Sequence, residues 1–239
     1  MTAVSLTIEN LSAGYGPTRI VENLSLSVAA GERLAVLGRN GMGKTTLLAS
    51  IAGQTRRTAG TIRLGDVDIT ALSGSARAQA GLGYVPQSRA IFKSLSVEEN
   101  LLVGLKGRAL SAIEEAYAMF PRLKERRRHL GGQLSGGEQQ MLTTARTLLG
   151  QPTVLLLDEP LEGLAPVICD ELMAAFSRLA QASAMTIILV EQRLRAALDF
   201  SQSVIVLERG RIAWRGTPAQ LTADPDTIDK VLGVSHAPP

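Results

Sequence analysis

Residues 38–45 constrain this chain more than any other part of its sequence. They form a G-x-x-x-x-G-K-T pattern between an apolar run at 34–37 and a helix-forming run at 46–51. A strand that ends in such a loop and continues as a helix presents free backbone N–H groups, and the positive end of the helix, to phosphate oxygens. A glycine-rich turn that merely ends a strand is the alternative. We expect nucleotide contacts from the whole segment, which consists of Gly38, Arg39, Asn40, Gly41, Met42, Gly43, Lys44, Thr45 and Thr46.

Two side chains of this phosphate loop have chemistry to contribute. Lys44 is expected to neutralise the β- and γ-phosphates of a nucleoside triphosphate, and Thr45 to offer its hydroxyl to Mg²⁺.

Two carboxylates, Asp158 and Glu159, follow the apolar run at 154–157. If the strands at 34–37 and 154–157 are neighbours, Asp158 can hold Mg²⁺ while Glu159 activates the water that attacks the γ-phosphate. Alone, such a pair is often just a strand that ends at solvent.

Composition and charge exclude several classes of protein. The net charge is +3, from 25 basic and 22 acidic residues, so we expect no nucleic-acid partner. The single cysteine, Cys169, forms no internal disulfide, and the two histidines give no zinc-type spacing with it. No segment approaches the roughly 20 apolar residues that span a bilayer. We expect a chain that is cytosolic or is held at a membrane by partners.

Hydrophobic patterns predict three kinds of structure. Alternating residues at 5–8 and 24–28, and a hairpin pattern around Gly65 and Asp66, predict antiparallel strands. The unbroken apolar runs at 154–157 and 187–190 predict strands buried in a parallel sheet. Between Ser88 and Gly150 the spacing is helical, with apolar residues at Leu110, Ile113, Tyr117 and Phe120. We therefore expect a core formed by 1–87 and 151–239, with a helical subdomain inserted at 88–150.

The segment LSGGEQQ (residues 134–140) narrows the class further. Ser135 and Glu138 form a capping-box pattern, which begins many ordinary helices. Gly136 and Gly137 would occupy the first helical turn, where each costs up to about 1 kcal/mol relative to alanine. A helix start without side chains suits contact between backbone N–H groups and an anion. Because the phosphate loop already serves the chain's own nucleotide, we expect Ser135, Gly136 and Gly137 to contact the nucleotide of a second subunit.

With these motifs in this order, the chain resembles the ATP-binding subunits of ABC transporters from end to end. The matching segments are the phosphate loop, Gln87 after Tyr-Val-Pro, LSGGEQQ, and Asp158 with Glu159. Within the family, residues 91–102, 120–126 and 162–166 are most similar to importer subunits for branched-chain amino acids, or for urea and related amides. The resemblance implies an α/β P-loop NTPase fold: a RecA-like core with a mainly parallel sheet, an N-terminal antiparallel β subdomain and an inserted helical subdomain that carries LSGGEQQ.

The resemblance also implies an activity and partners. The chain would bind ATP and Mg²⁺ and hydrolyse ATP, with Lys44, Gln87, Glu159 and Gln192 as catalytic residues. It would lie on the cytoplasmic face of the inner membrane with transmembrane permease subunits, a second ATP-binding subunit and, indirectly, an extracellular substrate-binding protein. Hydrolysis would power uptake of branched-chain amino acids. Importers of urea or short-chain amides, ABC ATPases outside transport and, from another class, a metabolic P-loop kinase are the alternatives.

The resemblance assigns roles to several single residues. Tyr15, between two glycines, would stack on adenine, with an ordinary turn tyrosine as the alternative. Gln87 would contact Mg²⁺ or the water near it, unless it is a plain surface glutamine. Gln192 replaces a histidine that senses the γ-phosphate in most of the family, so its contact should be pH-independent. Ala165 replaces a common aspartate. Both departures occur in the branched-chain amino acid group, whose two ATPases differ, so we expect a heterodimer, with a homodimer as the alternative.

Overall fold

The computed structural model describes residues 3–183, 185–224 and 227–229. Its strands are β1 (Leu6–Tyr15), β2 (Thr18–Val28), β3 (Arg33–Leu37), β4 (Arg56–Leu64), β5 (Val67–Asp68), β6 (Leu82–Val85), β7 (Val154–Asp158), β8 (Thr186–Val190), β9 (Ser203–Glu208) and β10 (Arg211–Gly216). Its helices are α1 (Lys44–Ile51), α2 (Gly74–Gln79), α3 (Val97–Gly104), α4 (Ile113–Met119), α5 (Pro121–Glu125), α6 (Gly136–Leu149), α7 (Pro166–Ser183), α8 (Leu194–Phe200) and α9 (Pro218–Thr222). Within these described residues, no helix is both long and apolar enough to cross a membrane.

The larger sheet has six strands in the order β10-β9-β3-β8-β7-β6. All neighbours in it pair in parallel except β9 and β10. The apolar runs at 154–157 and 187–190 lie in β7 and β8, and every residue of these two strands is buried. The prediction of buried parallel strands is confirmed. Because parallel strands end at the same edge, the residues that follow β3, β6, β7 and β8 are brought together there.

The strand before the phosphate loop is not a neighbour of the strand that ends in Asp158. β8 lies between β3 and β7, so the expectation of neighbouring strands is wrong. The two segments still meet, since the hydroxyl of Thr45 lies 3.1 Å from Oδ1 of Asp158. The phosphate loop and the start of α1 therefore reach across the end of β8, a span of two strand spacings or roughly 10 Å.

The smaller sheet is antiparallel, with four strands in the order β2-β1-β4-β5. The hairpin predicted around Gly65 and Asp66 is confirmed, with Leu64 opposite Val67. A hydrophobic cluster joins this sheet and α1 to one face of the larger sheet, where it includes Leu156 and Ile188. The smaller sheet thus supports the phosphate loop and α1 from one side.

The other face of the larger sheet packs against helices. Leu155 and Ile187 belong to a second hydrophobic cluster that also contains residues of α3, α4, α5, α6 and α7. Helix α4 begins at Ile113, whereas Leu110 lies in a 3-10 turn at Leu110–Ala112 and is 71% exposed. The α-helix predicted from the apolar spacing therefore starts about one turn later in the structure than the sequence indicates. The helices of 88–150 share one continuous core with the sheet, and their separation as a subdomain stays a prediction.

Candidate active site

The phosphate loop joins β3 to α1 with glycines where the backbone requires them. Gly38 has φ of 143°, and a Cβ added there would lie 2.5 Å from the carbonyl oxygen of Leu207. Gly43, with φ of 98°, is the N-cap residue of α1 and offers no side chain to the helix end. The first turn of α1 contains no acidic residue. Its backbone N–H groups and positive helix end are therefore available to an anion.

Lys44 folds back over this loop. Its ammonium Nζ donates to the carbonyl oxygens of Gly38 at 2.8 Å and Arg39 at 3.2 Å. Burial lowers the pKa of Lys44, although Glu159 and Asp158 nearby act in the opposite direction. Nζ lies 3.8 Å from Oε1 of Glu159. The lysine is thus held at the centre of the loop with a carboxylate on its other side.

Asp158, the last residue of β7, is fully buried. The hydroxyl of Thr45 donates to Oδ1 and the hydroxyl of Tyr84 to Oδ2, each at 3.1 Å. Burial raises the pKa of Asp158 to about 6, and the hydrogen bonds from Thr45 and Tyr84 and the charge of Lys44 offset the loss of hydration only in part. A buried carboxylate beside a threonine hydroxyl is a set of hard oxygen donors that suits Mg²⁺. The residues at this position therefore fit the predicted ion.

Glu159 follows directly and has a backbone conformation that is uncommon for a non-glycine residue. Its φ is 47°, and its N–H donates to the carbonyl oxygen of Val190 at 2.9 Å. Its Oε2 accepts the side-chain amides of Gln192 at 2.6 Å and Gln87 at 3.3 Å. Left-handed backbone at such residues is concentrated at functional sites. Three of the residues predicted to be catalytic, Lys44, Gln87 and Gln192, thus converge on the carboxylate of the fourth.

These groups surround a cleft of about 310 Å³. Most of its lining was predicted from the sequence: Asn40, Gly41, Gly43, Lys44, Thr45, Thr46, Gln87, Glu159 and Gln192. Ile20 and Glu162 complete the lining. Other predicted residues lie behind or beside it. Gly38 and Arg39 hold Lys44, Asp158 sits beneath Thr45, and the backbone oxygen of Met42 accepts the N–H of Gly210 at 3.0 Å.

Two predicted contacts lie away from this lining. Tyr15 ends β1 opposite Thr18 and is 49% exposed, as either a base platform or a turn tyrosine would be. The LSGGEQQ segment begins α6 on the helical side of the molecule. Its capping box is confirmed: Ser135 Oγ accepts the N–H of Glu138 at 3.3 Å, and the N–H of Ser135 donates to Glu138 Oε2 at 2.9 Å.

Gly137 of LSGGEQQ also has a packing reason. A Cβ there would come within 2.9 Å of Cγ2 of Ile168. A Cβ on Gly136 would meet only the guanidinium of Arg89, at 3.0 Å, which is the mobile end of a long side chain. The absence of a side chain at Gly137 is therefore explained partly inside the chain, apart from any approach of an anion.

Sequence reasoning assigned no role to Tyr84, Glu162 or Glu191. Tyr84 contacts Asp158, Glu162 accepts the amide of Gln87 at 2.6 Å, and Glu191 is buried beside the loop that follows β7. Tyr84 lies near the end of β6, next to β7 in the sheet, which is a signal that strand order would have provided. Glu162 and Glu191 lie next to recognised motifs, but no sequence pattern indicates which way their side chains point.

Comparison with known proteins places this geometry in a family. A family model described as ABC transporter matches residues 21–162. The branched-chain amino acid transport ATP-binding protein BraG of Pseudomonas aeruginosa is 37% identical over 95% of this chain and 99% of its own length. The lipopolysaccharide export ATP-binding protein LptB of Escherichia coli K12 is 34% identical over 96% of this chain and 97% of its own.

A solved structure extends the likeness to the fold. A bacterial Atm1-family ABC exporter with ATP bound superposes with a TM-score of 0.85 and 27% identity, over 99% of this chain and 42% of the exporter chain. The family model, the two relatives matched along nearly their whole length and this superposition all point to the same family. This chain is an ATPase of the ABC transporter family, whose subunits work with transmembrane permeases.

Proposed function

We propose that this chain binds and hydrolyses ATP to power an importer of branched-chain amino acids. The convergence of Lys44, Gln87 and Gln192 on Glu159 beside the phosphate loop supports hydrolysis. The 37% identity to BraG along nearly the whole chain supports the substrate. The chain is then a peripheral protein of the cytoplasmic membrane face, held there by permease subunits.

The triphosphate of ATP lies against residues 38–46 in this proposal. The free N–H groups of the loop and of the first turn of α1 bind its oxygens, and Lys44 exchanges its two carbonyl partners for phosphate oxygens. Tyr15 stacks on the adenine ring. Because Lys44 is already desolvated, replacing neutral carbonyl partners with charged phosphates strengthens its hydrogen bonds.

Thr45, Asp158 and Gln87 are the proposed ligands of Mg²⁺, Asp158 through water. Mg²⁺, when bound, neutralises phosphate charge that develops as the terminal phosphoryl group leaves. The residues themselves favour a cation here, since burial raises the pKa of Asp158 to about 6. Asp158 would hold the ion in its ionised form, so a proton carried by this carboxyl would have to leave first.

Glu159 is the proposed general base. It accepts a proton from water while the water oxygen forms a bond to the γ-phosphorus and the bond to the β–γ bridging oxygen breaks, which gives ADP and phosphate. Gln87 and Gln192 orient the carboxylate through Oε2 and leave Oε1 towards Lys44. The contact between Gln192 and the γ-phosphate, expected from the sequence, stays a prediction.

Turnover without an acceptor separates hydrolysis from phosphoryl transfer to a small molecule. We expect the full chain to release phosphate steadily with ATP and Mg²⁺ alone, and Glu159→Gln to lose about 10²- to 10⁴-fold in rate. Glu125→Gln, an exposed glutamate on α5, is the matched control and should hydrolyse like the parent. An absolute requirement for a small-molecule acceptor would contradict the proposal.

A second ATP-binding subunit completes the site. Ser135, Gly136 and Gly137 begin α6 outside the chain's own cleft and are proposed to contact the nucleotide of the partner, as the partner's equivalent turn contacts this one. With Gln192 and Ala165 as departures, we propose a heterodimer with unequal sites. Stable ATP-dependent homodimers of Glu159→Gln, together with full-rate hydrolysis by the unmutated chain alone, would rule out the unequal pair.

The permease docks, in this proposal, beside Gln87 and residues 88–102. A groove of about 290 Å³ runs here between the core and the helices, with Tyr84, Ala90, Lys106 and Arg146 in its wall. Phe92 is 47% exposed at this surface, with the guanidinium of Arg146 4.8 Å from its ring centroid. Cysteines placed at Phe92 or Leu95 should cross-link to the permease in an active complex. Absence of any cross-link there would contradict this docking.

The proposed transport substrate can be tested in cells that lack the gene for this chain. We expect uptake of labelled leucine, isoleucine and valine to fall, and to recover with the parent gene but not with Glu159→Gln. The 34% identity to LptB favours lipopolysaccharide export as a second candidate. Normal amino acid uptake together with accumulation of lipopolysaccharide at the inner membrane would support that candidate and reject the importer.

A further inference from the structure

Glu191 is a buried carboxylate directly after β8, and it is only 3% exposed. Its partners are three backbone N–H groups. Oε1 accepts from Leu161 at 2.9 Å, while Oε2 accepts from Gln192 at 3.0 Å and from Arg193 at 3.1 Å. Among the described residues, no lysine, arginine or histidine nitrogen lies within 4.0 Å of it. The carboxylate therefore bridges backbone segments and does not form an ion pair.

The two segments that Glu191 joins also contain Glu159 and Gln192, whose side chains are hydrogen-bonded to each other. Leu161 comes two residues after Glu159 in the loop that follows β7, and Gln192 follows Glu191 itself. The side chains of Glu159 and Gln192 meet at 2.6 Å. Two further contacts join these segments: the N–H of Glu159 donates to the carbonyl oxygen of Val190 at 2.9 Å, and Nη2 of Arg193 donates to the carbonyl oxygen of Leu164 at 3.4 Å. Movement of either segment relative to the other would break the contact between the side chains.

A buried charged side chain at this position costs free energy of folding. Removing a carboxylate from water is expensive, and a well-packed neutral side chain usually serves stability as well or better. An ionised carboxylate is, however, the only side chain that can accept three N–H groups in two directions without donating a proton back. What Glu191 supplies, and a neutral residue does not, is a set of three hydrogen bonds that ties the two loops together beside Glu159 and Gln192.

We propose that Glu191 is a positioning residue for hydrolysis: it clips the loop after β7 to the loop after β8 so that Gln192 holds Glu159 in its productive orientation. The inference rests on the proposed hydrolytic role of Glu159. Glu191 does not belong to the cleft lining and acts through Gln192, which does. Glu191 makes no hydrogen bond to the phosphate loop, so its loss should affect the rate of hydrolysis much more than nucleotide affinity.

Glu191→Gln is the first test, made in the full chain. The amide keeps the shape, but its nitrogen cannot accept, so at least one N–H loses its partner. We expect kcat to fall about 10- to 100-fold, as for a misplaced reacting group, while KM for ATP changes less than about twofold. Glu32→Gln is the matched control, since Glu32 also accepts a backbone N–H, that of Ala29 at 2.7 Å, far from the cleft. It should leave kcat unchanged.

A double-mutant cycle separates positioning from general stabilisation. If Glu191 acts through Gln192, then adding Glu191→Gln to a Gln192→Ala chain should lower kcat further by less than about threefold, because the contact it supports is already gone. Losses that multiply in the double variant would overturn the proposal. So would a Glu191→Gln chain with unchanged kcat.

A failure of the variant to fold, and a failure of the proposed hydrolytic function, can each be told apart from a failure of this proposal. Should Glu191→Gln fail to fold, as judged by thermal unfolding, Glu191→Asp enters the same cycle, because it keeps the charge but is one methylene too short to reach both loops. Its loss of kcat should likewise disappear in the Gln192→Ala background, and a loss that persists there would overturn the proposal. The proposed function fails on a different observation, namely full hydrolysis by Glu159→Gln.

Discussion

The hydroxyl of Tyr84 lies 3.1 Å from Oδ2 of Asp158, on the side of that carboxylate opposite the hydroxyl of Thr45. Tyr84 belongs to β6 and Asp158 to β7, which pair in parallel. Burial and the adjacent carboxylate raise the pKa of Tyr84, so the hydroxyl stays protonated and donates. The bond therefore stabilises the ionised form of Asp158 and fixes its plane.

Tyr84→Phe should consequently make Asp158 harder to ionise. Loss of one hydrogen bond to the charged form moves the pKa of Asp158 upwards from about 6, by up to about one unit. The Mg²⁺ concentration that gives half-maximal hydrolysis should rise most in mildly acidic buffer and least at alkaline pH. Titrations with Mg²⁺ across that range measure the effect.

Tyr117→Phe is the control for this titration. The hydroxyl of Tyr117 is buried and has no hydrogen-bond partner in the described part of the chain. Its removal should leave the Mg²⁺ dependence unchanged. Identical Mg²⁺ titrations for Tyr84→Phe and the parent would show that Asp158 does not need the tyrosine.

Asp158→Asn should stabilise the fold while it abolishes hydrolysis. The folded-state pKa of about 6 exceeds the unfolded value of 3.8, so the folded protein is penalised for the charge. That penalty is complete above about pH 6 and disappears as the pH falls towards the unfolded value. Both neighbouring hydroxyls can either donate or accept, so they adapt to an amide.

Urea unfolding at several pH values measures this gain. We expect the variant to be more stable than the parent by about 1 to 3 kcal/mol at pH 8, with the difference shrinking below about pH 6. A variant that is less stable than the parent at alkaline pH would contradict the raised pKa of Asp158.

Gln192→His should add a second titrating group to the active site, beside Asp158 with its pKa of about 6. The parent has histidines only at positions 129 and 236, and the glutamine amide does not titrate near neutral pH. An imidazole beside Glu159 titrates near neutral pH, between about 6 and 8. The plot of log kcat against pH should acquire an inflection there. The same substitution at Gln181, exposed on α7, should add none, and an unchanged profile for Gln192→His would show that position 192 does not influence the reacting groups.

Gly137→Ala should damage both packing and function, and the two can be separated. The new Cβ meets Ile168 on α7, so we expect a lower melting temperature. Adding Ile168→Ala removes that clash and should restore the melting temperature. If the backbone at Gly137 must approach the partner's nucleotide, ATP-dependent association should stay impaired in the double variant. Full recovery of association would mean that the glycine serves packing alone.

Much of the fold follows from local patterns. The apolar runs at 154–157 and 187–190 could become only buried strands, and the Gly65-Asp66 turn could become only a tight hairpin, because in each case local chemistry and burial agree. The capping box at Ser135 and Glu138 has the same character, since its two hydrogen bonds are made within four residues.

What the sequence did not reveal depends on strand order and side-chain direction. The position of β8 between β3 and β7 is set by packing across the whole sheet, and no local pattern encodes it. Tyr84 and Glu191 act through contacts with residues 74 and 30 positions away. The predicted residues that line the cleft come from motifs whose backbone shape is itself local, such as the phosphate loop.

The place of β8 in the sheet bears on how the two subunits of the heterodimer proposed above can differ. Glu191 and Gln192 follow β8: Glu191 binds the segment after β7, and Gln192 lines the cleft with residues of the phosphate loop. A change in these two adjacent codons acts on the environment of Glu159 and leaves residues 38–46 unaltered. In such a pair, mutation of one gene at this point can slow its hydrolysis during evolution while nucleotide binding and association with the partner are retained.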